Sequence, residues 1–230
     1  MIPLRDDQPI FSTPFINYFL IVANVLVYVW EFSVGLQNPR ALAAFVGAFA
    51  LVPQHTVAVL TGHSYDSPAS GILPLFTSMF LHGGFLHVAG NMLFLWIFGD
   101  NVEDYLGHFR YLAFYLGSGI AAGVTHLLLN TGSRVPTVGA SGAIAGVMGA
   151  YFILYPRARV LVWFPPIFLF HVPAWLMLGY WFLVQFFMGA AAVSAQSGIA
   201  VWAHVGGFVA GVVMIKVFAE RPHRYRYGTW

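Results

Sequence analysis

The chain has 230 residues, of which 59% are hydrophobic and only 8% are charged. Soluble domains carry about 25% charged residues, so this composition excludes an ordinary soluble protein and predicts a multi-pass helical membrane protein. The chain contains no cysteine, which excludes disulfides and thiolate chemistry, and its net charge of +2 is too small to indicate a nucleic-acid partner.

Six apolar segments are predicted to cross the membrane as helices, since each lies near the length of about 20 residues that a spanning helix needs. The predicted fold class is therefore an all-α membrane protein, a bundle of six transmembrane helices formed by a single domain over residues 1–230. Residues 1–14 form a polar leader, and residues 219–230 form a basic tail. The six spans cover roughly residues 15–32, 84–98 with a helical continuation to 107, 111–129, 139–155, 167–188 and 199–218.

A long connection joins the first two spans, from Ser33 to about Leu81. It is apolar over residues 41–52, broken at Pro53 and polar over residues 62–70. Connections of this length are uncommon and often functional. We expect this first outer loop to be partly helical, with short helices that lie in the membrane interface or re-enter it.

The distribution of Lys and Arg predicts the orientation of the bundle, because cytoplasmic loops are enriched in these residues. With the N-terminus inside, the outer side holds only Arg40 and Arg134. The outer loop and the starts of the second, fourth and sixth spans then face outside. The inner side holds the remaining basic residues, Arg5, Arg110, Arg157, Arg159, Lys216, Arg221, Arg224 and Arg226.

The fourth span begins with Gly139-Ala140-Ser141-Gly142. A serine in a membrane helix is most often a packing residue. Here the flanking glycines favour a reactive hydroxyl instead. The first turn of a helix also leaves backbone N–H groups free beside the serine, and such groups can stabilise an oxyanion. Ser141 is therefore the candidate nucleophile.

The sixth span contains His204, and ionisable residues inside a span are costly and usually functional. The structural alternative is a histidine bonded to a neighbouring carbonyl. Gly207 and Gly211 are four residues apart and form a flat helix face, which can meet the glycine face of the fourth span. That contact would bring the imidazole beside Ser141, where it can accept the serine proton.

His87 and Asn91 are four residues apart on the second span and share one face. Both side chains can donate a hydrogen bond to a developing oxyanion. An alternative interpretation is a metal site in which His82, His87 and His204 supply three nitrogen ligands. This alternative leaves Ser141 without a role.

No aspartate or glutamate occurs between Asp104 and Glu220, so we predict a serine–histidine dyad in which packing or a neutral bond orients the histidine. Glu103 lies at the inner end of the second span and is expected to brace the inner loop through backbone groups or Arg110. Gln185, on the fifth span, has no assigned role.

Four motifs occur along the chain in a specific order. They are His82-Gly83-Gly84 with His87 and Asn91, Gly99…Glu103…Gly107, Gly139-Ala140-Ser141-Gly142, and Ala203-His204…Gly207…Gly211. Together they resemble the rhomboid family of intramembrane serine proteases. Each motif alone is weak, but the four together are specific, and the resemblance covers nearly the whole chain.

The resemblance implies that Ser141 is the nucleophile and His204 its general base. It also implies that His87, Asn91 and the Ser141 N–H form the oxyanion pocket, and that His82 braces a loop. The implied fold places the short fourth helix centrally, beside a water-filled cavity. The implied substrates are membrane-anchored proteins, cut in or near their transmembrane helix after a small residue. No cofactor or metal is implied.

Two positions depart from the family pattern. Many relatives carry Trp-Arg shortly before the Thr-Ser-x-Phe stretch of the first loop, where this chain has Leu73-Pro74. Some relatives have a tyrosine one turn after the serine, stacked on the histidine, where this chain has Ala145. We therefore expect another residue, such as an aromatic from a neighbouring helix, to steady the histidine.

Two other functions stay open at this stage. One is a catalytically silent relative that binds membrane helices, and the other is a solute or metal channel lined by His82, His87 and His204. The predicted location is the bacterial inner membrane, with both termini cytoplasmic. The predicted partners are transmembrane substrates and the lipid bilayer, without nucleic acid.

Overall fold

The computed structural model describes residues 1–191 and 200–218, which form ten α-helices and three β-strands. The basic tail at 219–230 and most of the small-residue loop at 189–198 lie outside the described residues. The helices are α1 (Phe15–Gln37), α2 (Pro39–Phe49), α3 (Pro53–Leu60), α4 (Pro68–Ile72), α5 (Pro74–Thr77), α6 (Phe85–Leu106), α7 (His108–Leu129), α8 (Ser141–Leu154), α9 (Ala174–Ala191) and α10 (Val201–Phe218).

The six predicted spans correspond to the six long helices α1 and α6 to α10, which confirms the helical membrane bundle. Of the described helices, α1, α7 and α10 are long and apolar enough to cross a membrane alone. Helix α6 passes the same test together with the bent segment Pro68–Phe80. The predicted partly helical outer loop consists of α2 to α5 and a 3₁₀ turn at Ser78–Phe80.

Helix α8 is the central element of the bundle. Its 14 residues span only about 21 Å, which is too short for a hydrocarbon core of about 30 Å. It contacts α6, α7, α9 and α10, and every residue from Gly142 to Tyr151 is buried. Neighbouring helices therefore surround α8 in place of lipid.

Glycines set the distance between α8 and α10. A Cβ atom on Gly207 would overlap the carbonyl oxygen of Gly142, and one on Gly211 would overlap that of Gly146. Small residues at such positions let helix backbones approach closely in membranes. The two glycine faces predicted from the sequence therefore meet directly.

A three-stranded antiparallel sheet lies at the opposite end of the bundle from Ser141. Its strands, in sheet order, are β1 (Ile2–Arg5), β2 (Arg159–Phe164) and β3 (Phe168–Pro173). The prediction that the fifth span begins near residue 167 is wrong, because β3 occupies this segment and α9 begins at Ala174. A short apolar run does not distinguish a strand from a helix without its pairing partner.

Glu103 ties the start of α1 to the end of α6. Its carboxylate is fully buried and accepts hydrogen bonds from the backbone N–H groups of Ile16 at 3.0 Å and Asn17 at 2.6 Å. It also lies 2.5 Å from Nδ1 of His108. A carboxylate that accepts the free N–H groups of a first helical turn stabilises that turn. Glu103 thus braces this end of the bundle through backbone groups.

Candidate active site

Ser141 is the first residue of α8, directly after a turn that requires glycine. Gly139 has φ +124°, a conformation that side-chain-bearing residues rarely adopt. A Cβ atom there would also lie 2.8 Å from Cε1 and Nε2 of His87. The Gly139 N–H donates to the Ser78 carbonyl at 2.8 Å, which holds the turn against the outer loop.

The structure brings Ser141 and His204 together. Oγ of Ser141 lies 2.8 Å from Nε2 of His204, within hydrogen-bonding distance. His204 lies in the first turn of α10, and Ser141 begins α8 at the same level. The glycine contacts between these two helices place both side chains at this separation.

The far side of the His204 ring faces α9. Nδ1 of His204 lies 2.9 Å from Oε1 of Gln185, and the Trp181 ring lies 5.8 Å from the imidazole at an angle of 43°. Trp181 and Gln185 are four residues apart, so they occupy one face of α9. Trp181 is thus an aromatic residue from a neighbouring helix beside His204, at a site where this chain has Ala145 and no stacking tyrosine.

The sequence alone does not assign Gln185 to the site, because it does not show which face of the fifth span meets His204. A usable signal was present, since Gln185 is a polar side chain within an apolar span and lies one turn after a tryptophan. Polar residues in such spans commonly face a functional interior.

His87 and Asn91 lie on the other side of Ser141, against Gly139. A Cβ atom on Gly139 would be 2.8 Å from Nε2 of His87 and 3.5 Å from Nδ2 of Asn91. The Gly83 N–H approaches Nδ1 of His87 at 3.4 Å, so the neutral ring carries its proton on Nε2. Both residues therefore direct N–H donors toward the turn before Ser141.

His82 supports the Asn91 side chain through a hydrogen bond. Its ring is buried, and its Nε2 accepts a hydrogen bond from Nδ2 of Asn91 at 2.9 Å. The His82 backbone N–H donates to Oε2 of Glu31 on α1 at 3.1 Å. The outer end of α1 is thereby linked to Asn91 through His82.

A cavity of about 510 Å³ connects these side chains. Ser141, His204, His87, Asn91 and Gln185 all line it. Its deeper wall is apolar, and it follows α8 for about two turns below the serine. That wall is formed by Phe94, Ile144, Met148 and Trp181.

The outer loop is attached to the loop that precedes Ser141. Leu51 and Thr137 form an antiparallel bridge with N···O distances of 3.0 and 2.8 Å. Nε of Arg134 donates to Oε1 of Gln54 at 2.6 Å. These bonds anchor the first outer loop, the loop in which this chain has Leu73-Pro74 in place of Trp-Arg.

Two of the site's histidines, His204 and His82, use their Nε2 atoms to contact other side chains of the site. Nε2 of His204 faces the Ser141 hydroxyl, and Nε2 of His82 accepts from the Asn91 amide. In residues 1–191 and 200–218, no three His, Asp or Glu side chains converge in a geometry that holds a metal ion.

The sequence of this chain matches the family model of the rhomboid domain over residues 69–221, which is more than half of the chain. The chain belongs to the rhomboid family. The matched region extends from α4 to the end of α10 and includes Ser141, His204, His87 and Asn91.

Several rhomboid relatives show similar sequences. The chain is 35% identical over 143 residues to Rhomboid protein 1, mitochondrial, of Saccharomyces cerevisiae, covering 59% of this chain and 39% of that protein. It is 35% identical over 109 residues to the human Presenilin-associated rhomboid-like protein, mitochondrial, covering 46% and 29%. It is 28% identical over 229 residues to RHOMBOID-like protein 1 of Arabidopsis thaliana, covering 93% and 55%. The chain thus spans between 29% and 55% of the length of these relatives.

Proposed function

We propose that this rhomboid-family protein is an intramembrane serine endopeptidase that cleaves transmembrane-anchored proteins in or near their membrane helix. The observation that carries the proposal is the 2.8 Å distance between Oγ of Ser141 and Nε2 of His204 at the wall of a cavity inside the bundle. A hydroxyl beside a neutral imidazole is the usual arrangement of an activated serine nucleophile.

In the proposed reaction, Oγ of Ser141 attacks the carbonyl carbon of the scissile peptide while Nε2 of His204 takes the hydroxyl proton. The tetrahedral intermediate then collapses, and His204 returns the proton to the leaving amine. Water repeats the sequence on the acyl-enzyme and frees Ser141. A substrate helix has to unwind locally, since a helical amide is shielded by its own hydrogen bonds.

The proposed oxyanion pocket consists of the Nε2–H of His87, the amide of Asn91 and the backbone N–H of Ser141. The N–H of Ser141 has no acceptor within its own helix because it belongs to the first turn of α8. The partial positive charge at a helix N-terminus adds to the stabilisation of an anion there.

We also propose a bacterial inner membrane location with cytoplasmic termini. Pairing of β1 with β2 brings Arg5 and Arg159 to the same end of the bundle as Arg110. This basic end would face the cytoplasm under the positive-inside rule. The candidate active site lies at the other end and would open toward the outer side.

A fluorophosphonate probe tests the proposed function directly. The purified protein in lipid should be labelled once, at Ser141 by peptide mapping, and should cleave a reporter transmembrane substrate. Ser141→Ala and His204→Ala should fold and lose both activities. A folded wild-type protein that binds the reporter helix but shows neither labelling nor cleavage would instead identify a catalytically silent helix-binding relative.

A further inference from the structure

Among the residues that the structure describes, the partner of the His204 Nδ1 is an amide oxygen and not a carboxylate. Two acidic residues belong to the outer side, and both have other partners. Glu31 accepts the backbone N–H of His82, and Asp66 is bonded to Ser64 and His55 in the outer loop. The sequence contains no aspartate or glutamate between Asp104 and Glu220.

We propose that Gln185 is the positioning residue of His204. Ser141, His204 and Gln185 then form a hydrogen-bonded series in which the Gln185 amide replaces the carboxylate of a serine–histidine–aspartate triad. This inference rests on the proposed protease function and deepens it. The two distances in the series are 2.8 Å from Ser141 to His204 and 2.9 Å from His204 to Gln185.

The amide determines which nitrogen of the imidazole carries the proton. Oε1 of Gln185 is an acceptor without a hydrogen, so the facing Nδ1 of His204 has to be protonated. The lone pair of the neutral ring then lies on Nε2 and points at the Ser141 hydroxyl. This is the tautomer that can accept the serine proton.

A neutral acceptor suits this position in the bundle. Gln185 is half-buried on an apolar helix and lines the cavity, and an amide there costs less to desolvate than an ionised carboxylate would. Trp181, one turn before Gln185, packs beside the same ring. Helix α9 therefore holds His204 by one hydrogen bond and one aromatic contact from a single face.

The experiment compares three variants of the full chain in lipid. Gln185→Met keeps the length of the side chain but lacks the oxygen acceptor, and Gln185→Glu keeps an oxygen acceptor. The matched control is Leu183→Met, because Leu183 lies on α9 with 51% of its surface exposed. Each variant is measured for its unfolding temperature, for kcat and KM with a reporter substrate, and for the ¹⁵N spectrum of His204, identified by difference against His204→Ala.

We expect Gln185→Met to lower kcat about tenfold, the scale of one lost hydrogen bond, with KM and unfolding temperature close to wild type. Gln185→Glu should retain more activity than Gln185→Met, and the Leu183→Met control should match the wild type. The His204 spectrum should show a neutral ring with its proton on Nδ1, and this preference should weaken in Gln185→Met.

A wild-type spectrum with the proton on Nε2, or a Gln185→Met variant with unchanged kcat and spectrum, would overturn the proposal. The spectrum does not depend on turnover. If the wild type shows no cleavage that requires Ser141, the protease function fails, while the spectrum still decides whether Gln185 orients the ring.

Discussion

Gly207 lies so close to Gly142 that one added methyl group on Gly207 would overlap the carbonyl oxygen of Gly142. This contact between α10 and α8 sets the height and separation of the two helices. Ser141 is adjacent to Gly142, and His204 lies one helical turn before Gly207. The contact of two glycines thus determines whether the hydroxyl and the imidazole can meet.

Gly207→Ala should push α10 away from α8. Overpacking of this kind typically costs about 1–3 kcal/mol of stability, and a displacement of about 1 Å in an active site can cost about 100-fold in rate. We expect a lower unfolding temperature and a loss of fluorophosphonate labelling that exceeds the loss of folded protein. Gly47→Ala in α2 is the control, since a Cβ atom there has no neighbour within 4 Å. Equal labelling of both variants would contradict this role of the contact.

Asn91→Ala should lower kcat by about 100-fold or more with little change in KM, because an oxyanion donor acts mainly in the transition state. The measurement is reporter cleavage under saturating substrate. Asn130→Ala is a suitable comparison, since Asn130 is an outer-end asparagine bonded to the His126 carbonyl at 2.9 Å and does not line the cavity. Its kcat should stay within about twofold of wild type. Similar losses in both variants would indicate a general structural effect instead.

Glu103→Ala should destabilise the protein without altering the chemistry. The substitution removes the acceptor of two backbone N–H groups at the start of α1. Hydrogen bonds to a charged group contribute about 1.5–3 kcal/mol each, so we expect a loss of more than about 2 kcal/mol in the free energy of unfolding. Chemical denaturation in detergent measures this loss. The fraction that remains folded should be labelled at Ser141 at the wild-type rate, and a slower rate would place Glu103 in the active site.

Stability should depend on pH through Asp6, which precedes α1 and accepts a hydrogen bond from the Tyr151 hydroxyl. Burial raises the pKa of Asp6 from 3.8 to about 6. The folded protein therefore binds a proton at this group more tightly than the unfolded chain does. The contribution of this tighter proton binding to the free energy of unfolding is fully present below about pH 4 and is lost as the pH rises to about 6.

Asp6→Asn should remove this dependence. The unfolding temperature of the wild type, measured relative to Asp6→Asn, should fall between pH 4 and pH 6 and stay level above that range. Asp104→Asn is the control for the loss of a carboxylate at this end of the bundle. Asp104 accepts hydrogen bonds from the backbone N–H and the hydroxyl of Ser12. A difference between wild type and Asp6→Asn that does not change with pH would contradict the prediction.

Much of the bundle follows from local chemistry. Five of the six long helices begin and end within about five residues of the predicted bounds, because a helix satisfies the backbone hydrogen bonds of a long apolar run within the run itself. The fifth helix begins about seven residues later than predicted. The segment before it pairs with Arg159–Phe164 as a strand. The hydrophobic periodicity of that segment does not indicate which other segment it pairs with.

For the site, the sequence by itself determined the candidate residues Ser141, His204, His87 and Asn91, because polar groups inside apolar spans are costly and few. Only the tertiary structure decided what surrounds the histidine. Gln185 and Trp181 reach His204 because α9 packs against α10, and the angle between two helices depends on side chains that are far apart in the chain. Residue types and spacing are local properties, whereas the acceptor at Nδ1 is a property of packing.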